Sequence, residues 1–186
     1  MAATKIYVYG FSGHGAVVAD VARVCGYGEV VFLDYAKFDG KSVLKFDPSL
    51  EKADVIVAIG DNKIRRILQE RVKNAGFVLV NLIHPSAVVS ASAQIGEGAV
   101  VMPNAVINAR AVIGEGAIIN TGAIIEHDCE IGDFAHISPN AALAGGVIVG
   151  VNTHVGICSC AIQCVKIGAD CVIGAGSVVV RDIADG

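Results

Sequence analysis

Basic and aromatic residues are scarce in this chain of 186 residues, which has no tryptophan and a formal net charge of −4. It contains no run of lysine or arginine, and no aromatic side chains are interleaved with basic ones. Surfaces that bind nucleic acid or anionic membranes depend on clustered positive charge. The composition therefore argues against a nucleic-acid partner and against electrostatic binding to a membrane.

Long hydrophobic runs are also lacking, although the mean hydropathy is high at +0.62. No window of about 18 residues is free of charged and turn residues, as a transmembrane helix requires. The first ten residues, MAATKIYVYG, enter an apolar strand without a basic leader or a long apolar region,. We therefore expect a cytoplasmic protein without a transmembrane segment.

Paired CxxC motifs are absent, although the chain has six cysteines. Cys158, Cys160 and Cys164 form a C-x-C-x3-C cluster, whose spacing is not a familiar zinc pattern,. Cytosolic thiols are normally reduced. The cysteines are therefore predicted to be small buried or half-buried thiols rather than metal ligands.

The first 80 residues have the pattern of an α/β unit. Apolar runs rich in β-branched residues alternate with stretches of helical spacing that end at glycine. This alternation predicts a parallel sheet covered on both faces. The predicted strands are Lys5–Gly10, Glu29–Asp34, Ala53–Gly60 and Phe77–Ile83, and the predicted helices follow the Gly10–Gly15 loop and span Asp61–Gly76.

The loop GFSGHG, from Gly10 to Gly15, joins the first strand to its helix. Small residues let the backbone approach a ligand, and a helix N-terminus offers free N–H groups to a phosphate. Asp34 follows the second strand, where a Rossmann-like unit places an acid for nucleoside contact. The unit is short for a dinucleotide domain, so the loop predicts a mononucleotide-sized ligand. A tight turn without a ligand is the alternative.

From residue 83 onward the sequence repeats every six residues. Successive frames read IGEGAV, VMPNAV, INARAV and IGEGAI. The first position of every frame is apolar, with Ala161 as the one small exception, and the fifth is nearly always small from Ala87 to Ala141. A six-residue period predicts a parallel β-helix in which three frames make one 18-residue coil. The chain is thus divided into a Rossmann-like domain at 1–82 and a β-helix domain at 83–186.

The frames resemble those of the hexapeptide-repeat acyltransferases, whose β-helix is left-handed. YVYGFSGHG, AIGDNKIR, NLIHPSAVVSASA and NTGAIIEHDCEIGDFAHIS together resemble the sialic-acid O-acetyltransferase-like group. Within it they are most similar to bacterial UDP-4-amino-sugar N-acetyltransferases of the bacillosamine pathway. The resemblance implies acetyl-CoA as the co-substrate, a UDP-linked amino sugar as the acceptor, no metal, and a homotrimer with its sites between chains.

The resemblance also implies the site residues. His127 would be the general base that accepts the amine proton, supported by Glu126 and Asp128, with Asn120 nearby. An imidazole is suited to this role at neutral pH. His136 and Gly145 match positions that contact the acetyl-CoA thioester region, and trimer packing can bring His127 of one chain near His136 of another. The UDP-sugar contacts would come from Ser12, Gly13, His14, Asp34 and Gly60.

The same residues leave three other interpretations open. An O-acetyltransferase acting on a sialic-acid-like sugar would share nearly every motif. A non-catalytic β-helix scaffold or nucleotide-sensing module is the second, and keeping both the His127 cluster and the Gly13 loop argues against it. The third is a zinc site, since His154 follows His136 by 18 residues and should stack on it, one coil further along. No close histidine pair of the kind found in β-helical carbonic anhydrases is present.

Overall fold

The computed structural model describes residues 4–37, 39–40 and 42–186 of the chain. An N-terminal α/β unit is followed by a three-sided parallel β-helix. Both parts correspond to the fold class that the sequence predicts. Among the described residues, no helix is both long enough and apolar enough to cross a membrane.

The α/β unit is built on a five-stranded parallel sheet in the order β3-β2-β1-β4-β5. Its strands are β1 (Lys5–Tyr9), β2 (Glu29–Leu33), β3 (Val43–Leu44), β4 (Asp54–Val57) and β5 (Val78–Leu79). Alternate side chains of β1 bury on opposite faces: Ile6 and Val8 contact one cluster, Tyr7 and Tyr9 the other,. Both faces of the sheet are therefore covered, as the sequence predicts.

Two helices supply much of that cover. Helix α1 (Gly13–Val24) begins at Ser12, whose side chain accepts a hydrogen bond from the Gly15 N–H, and helix α2 (Asn62–Asn74) begins at Asp61, whose side chain accepts from the Ile64 N–H. Both are N-cap contacts that satisfy free amides of the first turn. The caps therefore fix where each helix starts, directly beside the carboxyl ends of β1 and β4.

The sequence predicted a single strand over Phe77–Ile83, and this prediction was wrong. It forms two short strands: β5, at the edge of the α/β sheet, and β6 (Leu82–Ile83), which opens the β-helix. The chain passes between the two sheets at residues 80 and 81, and the domain boundary at 82/83 stays a prediction. Strand β3 was also missed, because two apolar residues beside polar ones carry no strand periodicity.

The β-helix contains 17 two-residue strands, which pair in parallel with the strand 18 residues away. They form three faces of six, six and five strands. The remaining strands are β7 (Val88–Val89), β8 (Gln94–Ile95), β9 (Val100–Val101), β10 (Val106–Ile107), β11 (Val112–Ile113), β12 (Ile118–Ile119), β13 (Ile124–Ile125), β14 (Glu130–Ile131), β15 (His136–Ile137), β16 (Ala142–Leu143), β17 (Ile148–Val149), β18 (His154–Val155), β19 (Cys160–Ala161), β20 (Lys166–Ile167), β21 (Val172–Ile173) and β22 (Val178–Val179).

The first and fifth positions of the six-residue frames fill the interior of the coil. Residues such as Ile107 and Ala111 are completely buried in one continuous core. The corners, however, are turned at the fourth position, where Asn104, Asp128 and Asn140 have φ values of 55–61°. The sequence interpretation assigned corner closure to the small fifth residue, which instead points into the narrow interior.

The first coils of the β-helix pack against the α/β unit. Leu82, Val100 and Met102 belong to the same buried cluster as helix α1. On the other side, α2 places Arg65 and Gln69, both almost fully buried, against the corner at Gly116. The end of the α/β sheet that carries the Gly10–Gly15 loop is thereby held over the face that carries His136.

Candidate active site

The stretch Glu126–Asp128 forms an exposed corner between β13 and β14. The His127 side chain is 59% exposed, and its Nδ1 lies 2.7 Å from Oδ2 of Asp128. An ionised carboxylate can only accept, so Nδ1 of His127 donates, and in the neutral ring Nε2 carries the lone pair. The Glu126 carboxylate remains at this corner, because it accepts a hydrogen bond from the His127 backbone N–H at 3.4 Å. The corner therefore presents an imidazole with its basic nitrogen free.

Asp128 is held by a second partner from the preceding coil. Nε of Arg110 donates to Oδ1 at 2.6 Å and Nη2 donates to Oδ2 at 2.8 Å. The hydrogen bonds from Arg110 and then from His127 hold the pKa of Asp128 well below its usual range. The carboxylate that orients His127 is consequently ionised throughout the neutral range.

Gly145 lies one coil beyond His127, on the same line of the prism. A Cβ at this position would lie 2.6 Å from Cε1 and 2.7 Å from Nε2 of His127. Both distances are shorter than normal van der Waals contact, so the imidazole occupies the space that any larger residue would fill. The structure therefore brings His127, Asp128 and Gly145 together within one chain.

His136 and Asn120 form a different group. His136 is only 8% exposed, and its Nε2 lies 3.0 Å from Nδ2 of Asn120. The two residues lie on the β12–β15 face, next to the α/β unit, rather than at the His127 corner. Within this chain Asn120 is therefore a partner of His136, and its place near His127 stays a prediction.

His136 stands in a row of three histidine rings. His154 stacks on it at 4.6 Å between ring centroids, as the 18-residue spacing predicts, and His14 lies 6.4 Å away. Burial, together with the nearby charges of His154 and Arg65, lowers the pKa of His136 to about 3. Burial lowers the pKa of His14 to about 4, again with help from Arg65. Both rings are neutral at physiological pH and retain one N–H donor each.

Arg65 closes the back of this row, where it bonds backbone carbonyl groups. Its guanidinium donates to the carbonyl oxygens of Gly116 at 2.7 Å, Phe134 at 2.6 Å and Ile59 at 2.9 Å. Burial lowers the pKa of Arg65 to about 10, which leaves it charged at neutral pH. The residue therefore ties the end of β4 to two corners of the β-helix.

The Gly-rich loop has two glycines with different roles. A Cβ at Gly15 would collide with the carbonyl oxygen of Gly10, so this position is required for the turn itself. A Cβ at Gly13 would meet nothing within 4 Å. Ser12 uses its hydroxyl to cap α1, while Gly13 faces open space at the helix N-terminus. The loop thus offers an accessible backbone where a phosphate could approach.

Asp34 and Gly60 lie at the same end of the sheet as this loop. Burial would raise the pKa of Asp34, but hydrogen bonds from the N–H groups of Phe11, Ala36 and Lys37 outweigh it, and the pKa lies below its usual value. The Phe11 bond, at 2.8 Å, ties Asp34 to the loop. Gly60 follows β4, and its carbonyl oxygen accepts from Arg65 at 3.2 Å. The structure thus brings together all five residues predicted for the nucleotide sugar.

The cysteines differ in part from expectation. Cys129 and Cys171 are buried, whereas Cys158, Cys160 and Cys164 are exposed, so the predicted burial of this cluster was wrong. All six thiols are free. Across the described ranges, no group of three or more histidine, cysteine or acidic residues is arranged to hold a metal ion.

Two residues of this site were missed by the sequence analysis. Arg110 precedes Asp128 by 18 residues, so the coil period that predicted the His136–His154 stack could also have found this pair. Arg65 gave no such signal, because an arginine in an amphipathic helix normally faces solvent.

Two protein families match the chain by their sequence models. The family described as "PglD N-terminal domain" matches residues 5–72, and "Bacterial transferase hexapeptide (six repeats)" matches residues 110–145. The two matches fall on the α/β unit and on the β-helix, and both confirm the predicted resemblance.

Two solved structures are similar over almost the whole chain. PerB from Caulobacter crescentus, in complex with CoA and GDP-perosamine, is 44% identical with a TM-score of 0.93, covering 98% of this chain and 91% of that one. The acetyltransferase domain of PglB from Neisseria gonorrhoeae, in complex with acetyl coenzyme A, is 40% identical with a TM-score of 0.89, covering 100% and 97%. The predicted fold, an α/β unit followed by a left-handed β-helix, is confirmed.

A curated relative gives a third comparison. UDP-N-acetylbacillosamine N-acetyltransferase from Bacillus subtilis (strain 168) is 38% identical over 110 residues, which are 53% of this chain. The match spans about half the length of that relative, 51%.

Proposed function

We propose the reaction of this chain on the basis of its family. The chain belongs to the hexapeptide-repeat N-acetyltransferases that act on nucleotide-linked amino sugars. The chain transfers the acetyl group of acetyl-CoA to the 4-amino group of a UDP-linked amino-dideoxy sugar of the bacillosamine type. The observation that carries the proposal is the exposed His127 with a free Nε2 and an ionised carboxylate on Nδ1. The curated relative is named for a UDP-linked sugar, whereas PerB was solved with GDP-perosamine, so the choice of UDP is part of the proposal.

The chemistry follows from that imidazole. The amine nitrogen attacks the thioester carbonyl carbon, while Nε2 of His127 accepts the proton that the amine loses. The tetrahedral intermediate then collapses and the C–S bond breaks. The CoA thiolate leaves and takes up the proton held by His127, which gives the CoA thiol and restores the neutral imidazole. Asp128 stabilises the imidazolium while it exists, and Glu126 supports the same corner.

The thioester contacts are assigned to Gly145 and His136. Gly145 borders the His127 ring, so a thioester that reaches Nε2 passes close to its backbone. His136 lies on another face, and its contribution requires packing of a neighbouring chain. The N–H donated to the developing oxyanion is assigned to the Gly145 position, because Nε2 of His136 faces the Asn120 amide and its Nδ1 is buried. Asn120, which bonds His136, would fix the orientation of that ring.

The nucleotide end of the substrate is assigned to the α/β unit. Ser12, Gly13 and His14 surround the N-terminus of α1, where backbone N–H groups favour a diphosphate. Asp34 and Gly60 border the same end of the sheet and would contact the nucleoside. Binding remote from the amine adds orientation and effective concentration at the reacting centre.

Gly13→Val tests this platform. The fold accommodates a side chain at this position, so the loss should come from blocked approach of the diphosphate to the backbone. We expect the KM for the nucleotide sugar to rise about tenfold, equivalent to roughly 1.4 kcal/mol of binding, with the KM for acetyl-CoA little changed. Steady-state kinetics with each substrate varied, and Gly13→Ala as the intermediate step, measure this. An equal rise in both constants would mean that the loop is only structural.

A homotrimer is proposed from one face of the β-helix. The outward side chains of its six strands are all apolar or thiol, and Val88, Ile124 and Val178 are 64%, 39% and 64% exposed. The complete row is Val88, Val106, Ile124, Ala142, Cys160 and Val178. Such a continuous apolar surface favours contact with another copy.

Light scattering at micromolar concentration should therefore give three times the 19.1 kDa chain mass. Ile124→Lys should shift the mass downward, because a charge would be buried in the contact. A monomeric wild-type protein would contradict both the trimer and the proposed contribution of a neighbour's His136.

The product distinguishes the proposal from O-acetyl transfer. The protein is incubated with acetyl-CoA and a UDP-4-amino sugar, and the product is isolated and treated with mild base. An amide resists this treatment, whereas an O-acetyl ester is hydrolysed. A base-labile product would favour the sialic-acid-like alternative, and no product with any acceptor would favour a nucleotide-sensing scaffold.

A further inference from the structure

We propose that Arg110 is a positioning residue for His127, acting through Asp128; this assignment rests on the proposed function. Arg110 contacts both oxygens of Asp128, at 2.6 and 2.8 Å, and Oδ2 also accepts from His127 Nδ1 at 2.7 Å. The three side chains form one chain of charge-assisted hydrogen bonds that ends at the imidazole. A bidentate guanidinium fixes the plane of a carboxylate, which a single contact does not.

The coil itself sets this arrangement. Arg110 and Asp128 occupy the fourth position of frames one coil apart, and both adopt the left-handed conformation, with φ of 61°. The Asp128 N–H donates to the Ala109 carbonyl at 3.0 Å, which stacks the two corners directly. The guanidinium therefore lies alongside the carboxylate as a consequence of the 18-residue repeat.

Stability alone does not account for the pair. The side chains of Arg110 and Asp128 are 66% and 43% exposed, and ion pairs this exposed contribute little to the free energy of unfolding,. What the pair does control is geometry. With its plane fixed, Asp128 accepts from Nδ1 in a single direction, which holds the ring over Gly145.

Charge balance is the second effect of Arg110. The charged groups at the His127 corner are Glu126, Asp128 and Arg110. One coil beyond Gly146 lies Cys164, whose thiol is 3.9 Å from the Gly145 carbonyl oxygen. Two carboxylates alone would favour the imidazolium, which cannot accept a proton. The guanidinium offsets the negative charge of one of them.

The test compares Arg110→Met, Arg110→Lys and the control Arg23→Met. Arg23 forms an exposed ion pair with Asp20 near the C-terminal end of α1, away from the His127 corner. For Arg110→Met we expect kcat to fall about 10- to 100-fold with both KM values nearly unchanged, because the ring loses its fixed direction. The acid limb of the kcat profile should move to higher pH. Arg110→Lys should keep that limb, since the charge remains, and lose part of kcat.

A measurement independent of turnover separates this assignment from the function. The NMR signals of the His127 ring, identified by their loss in His127→Ala, report its tautomer and its titration. We expect a single Nδ1–H tautomer in wild type, a mixture with a higher titration midpoint in Arg110→Met, and a wild-type pattern in Arg23→Met. Unchanged signals together with unchanged kcat in Arg110→Met would overturn the inference. Altered signals in a protein that acetylates no amino sugar would instead overturn the proposed function alone.

Discussion

Replacing His127 with alanine should lower kcat by about 10²–10⁴, the usual contribution of a general base. The imidazole is 59% exposed and packs little, so the coil should remain folded and both substrates should still bind. Wild-type kcat should fall as the solution is acidified and the imidazole takes up a proton, because the protonated ring cannot act as a base. The mutant should lose that limb of the profile, which steady-state kinetics across the pH range would measure.

His154→Ala is the matched control on the same prism. His154 is half-buried, stacks on His136 and bonds the Ser138 hydroxyl at 2.8 Å, and no chemistry is assigned to it. Its loss should cost far less in kcat than the loss of His127. If His127→Ala kept nearly wild-type kcat while His154→Ala abolished turnover, the base would lie elsewhere.

Among the substitutions named here, Arg65→Met should destabilise the protein most, lowering the free energy of unfolding by about 2–4 kcal/mol. The substitution leaves the carbonyl oxygens of Gly116, Phe134 and Ile59 without this donor in a buried interface. Each unsatisfied buried group costs about 1–3 kcal/mol, and relief from burying the guanidinium charge offsets part of the sum. Urea unfolding monitored by circular dichroism measures the change.

Arg66→Met provides the neighbouring control. Arg66 pairs with Glu70 one turn along α2, with side chains that are 48% and 57% exposed, so its removal should cost less than about 1 kcal/mol,. Because Arg65 holds the α/β unit on the His136 face, its loss should also raise the KM for the nucleotide sugar. Equal stability of the two variants would mean that Arg65 does not hold the two units together.

The β-helix could be predicted almost completely from the sequence, because its interior is built from one repeated contact. Most residues at the first and fifth positions, such as Ile107 and Ala111, pack in one continuous core with their equivalents one coil away, so the six-residue period indicates the fold directly. The 18-residue spacing of His136 and His154 likewise predicted that the two residues stack on adjacent coils, and this prediction is confirmed.

Contacts between the repeat and the α/β unit could not be predicted in this way. The amide of Asn120 bonds the buried His136, a contact that depends on which face of the β-helix the α/β unit covers. The division of Phe77–Ile83 between two sheets has the same origin, since an apolar run does not record which sheet each half joins. Arg65 is buried only because α2 meets the corners at Gly116 and Phe134.

Thiol release from acetyl-CoA, measured against a panel of nucleotide-linked sugars, tests the central claim most directly. The panel contains UDP-, GDP- and dTDP-linked 4-amino sugars and the matching 4-hydroxy compounds. The account predicts release in step with amide formation, fastest with the UDP-4-amino sugar and absent with every 4-hydroxy acceptor. Release with the hydroxy compounds, or no release with any amine, would contradict it.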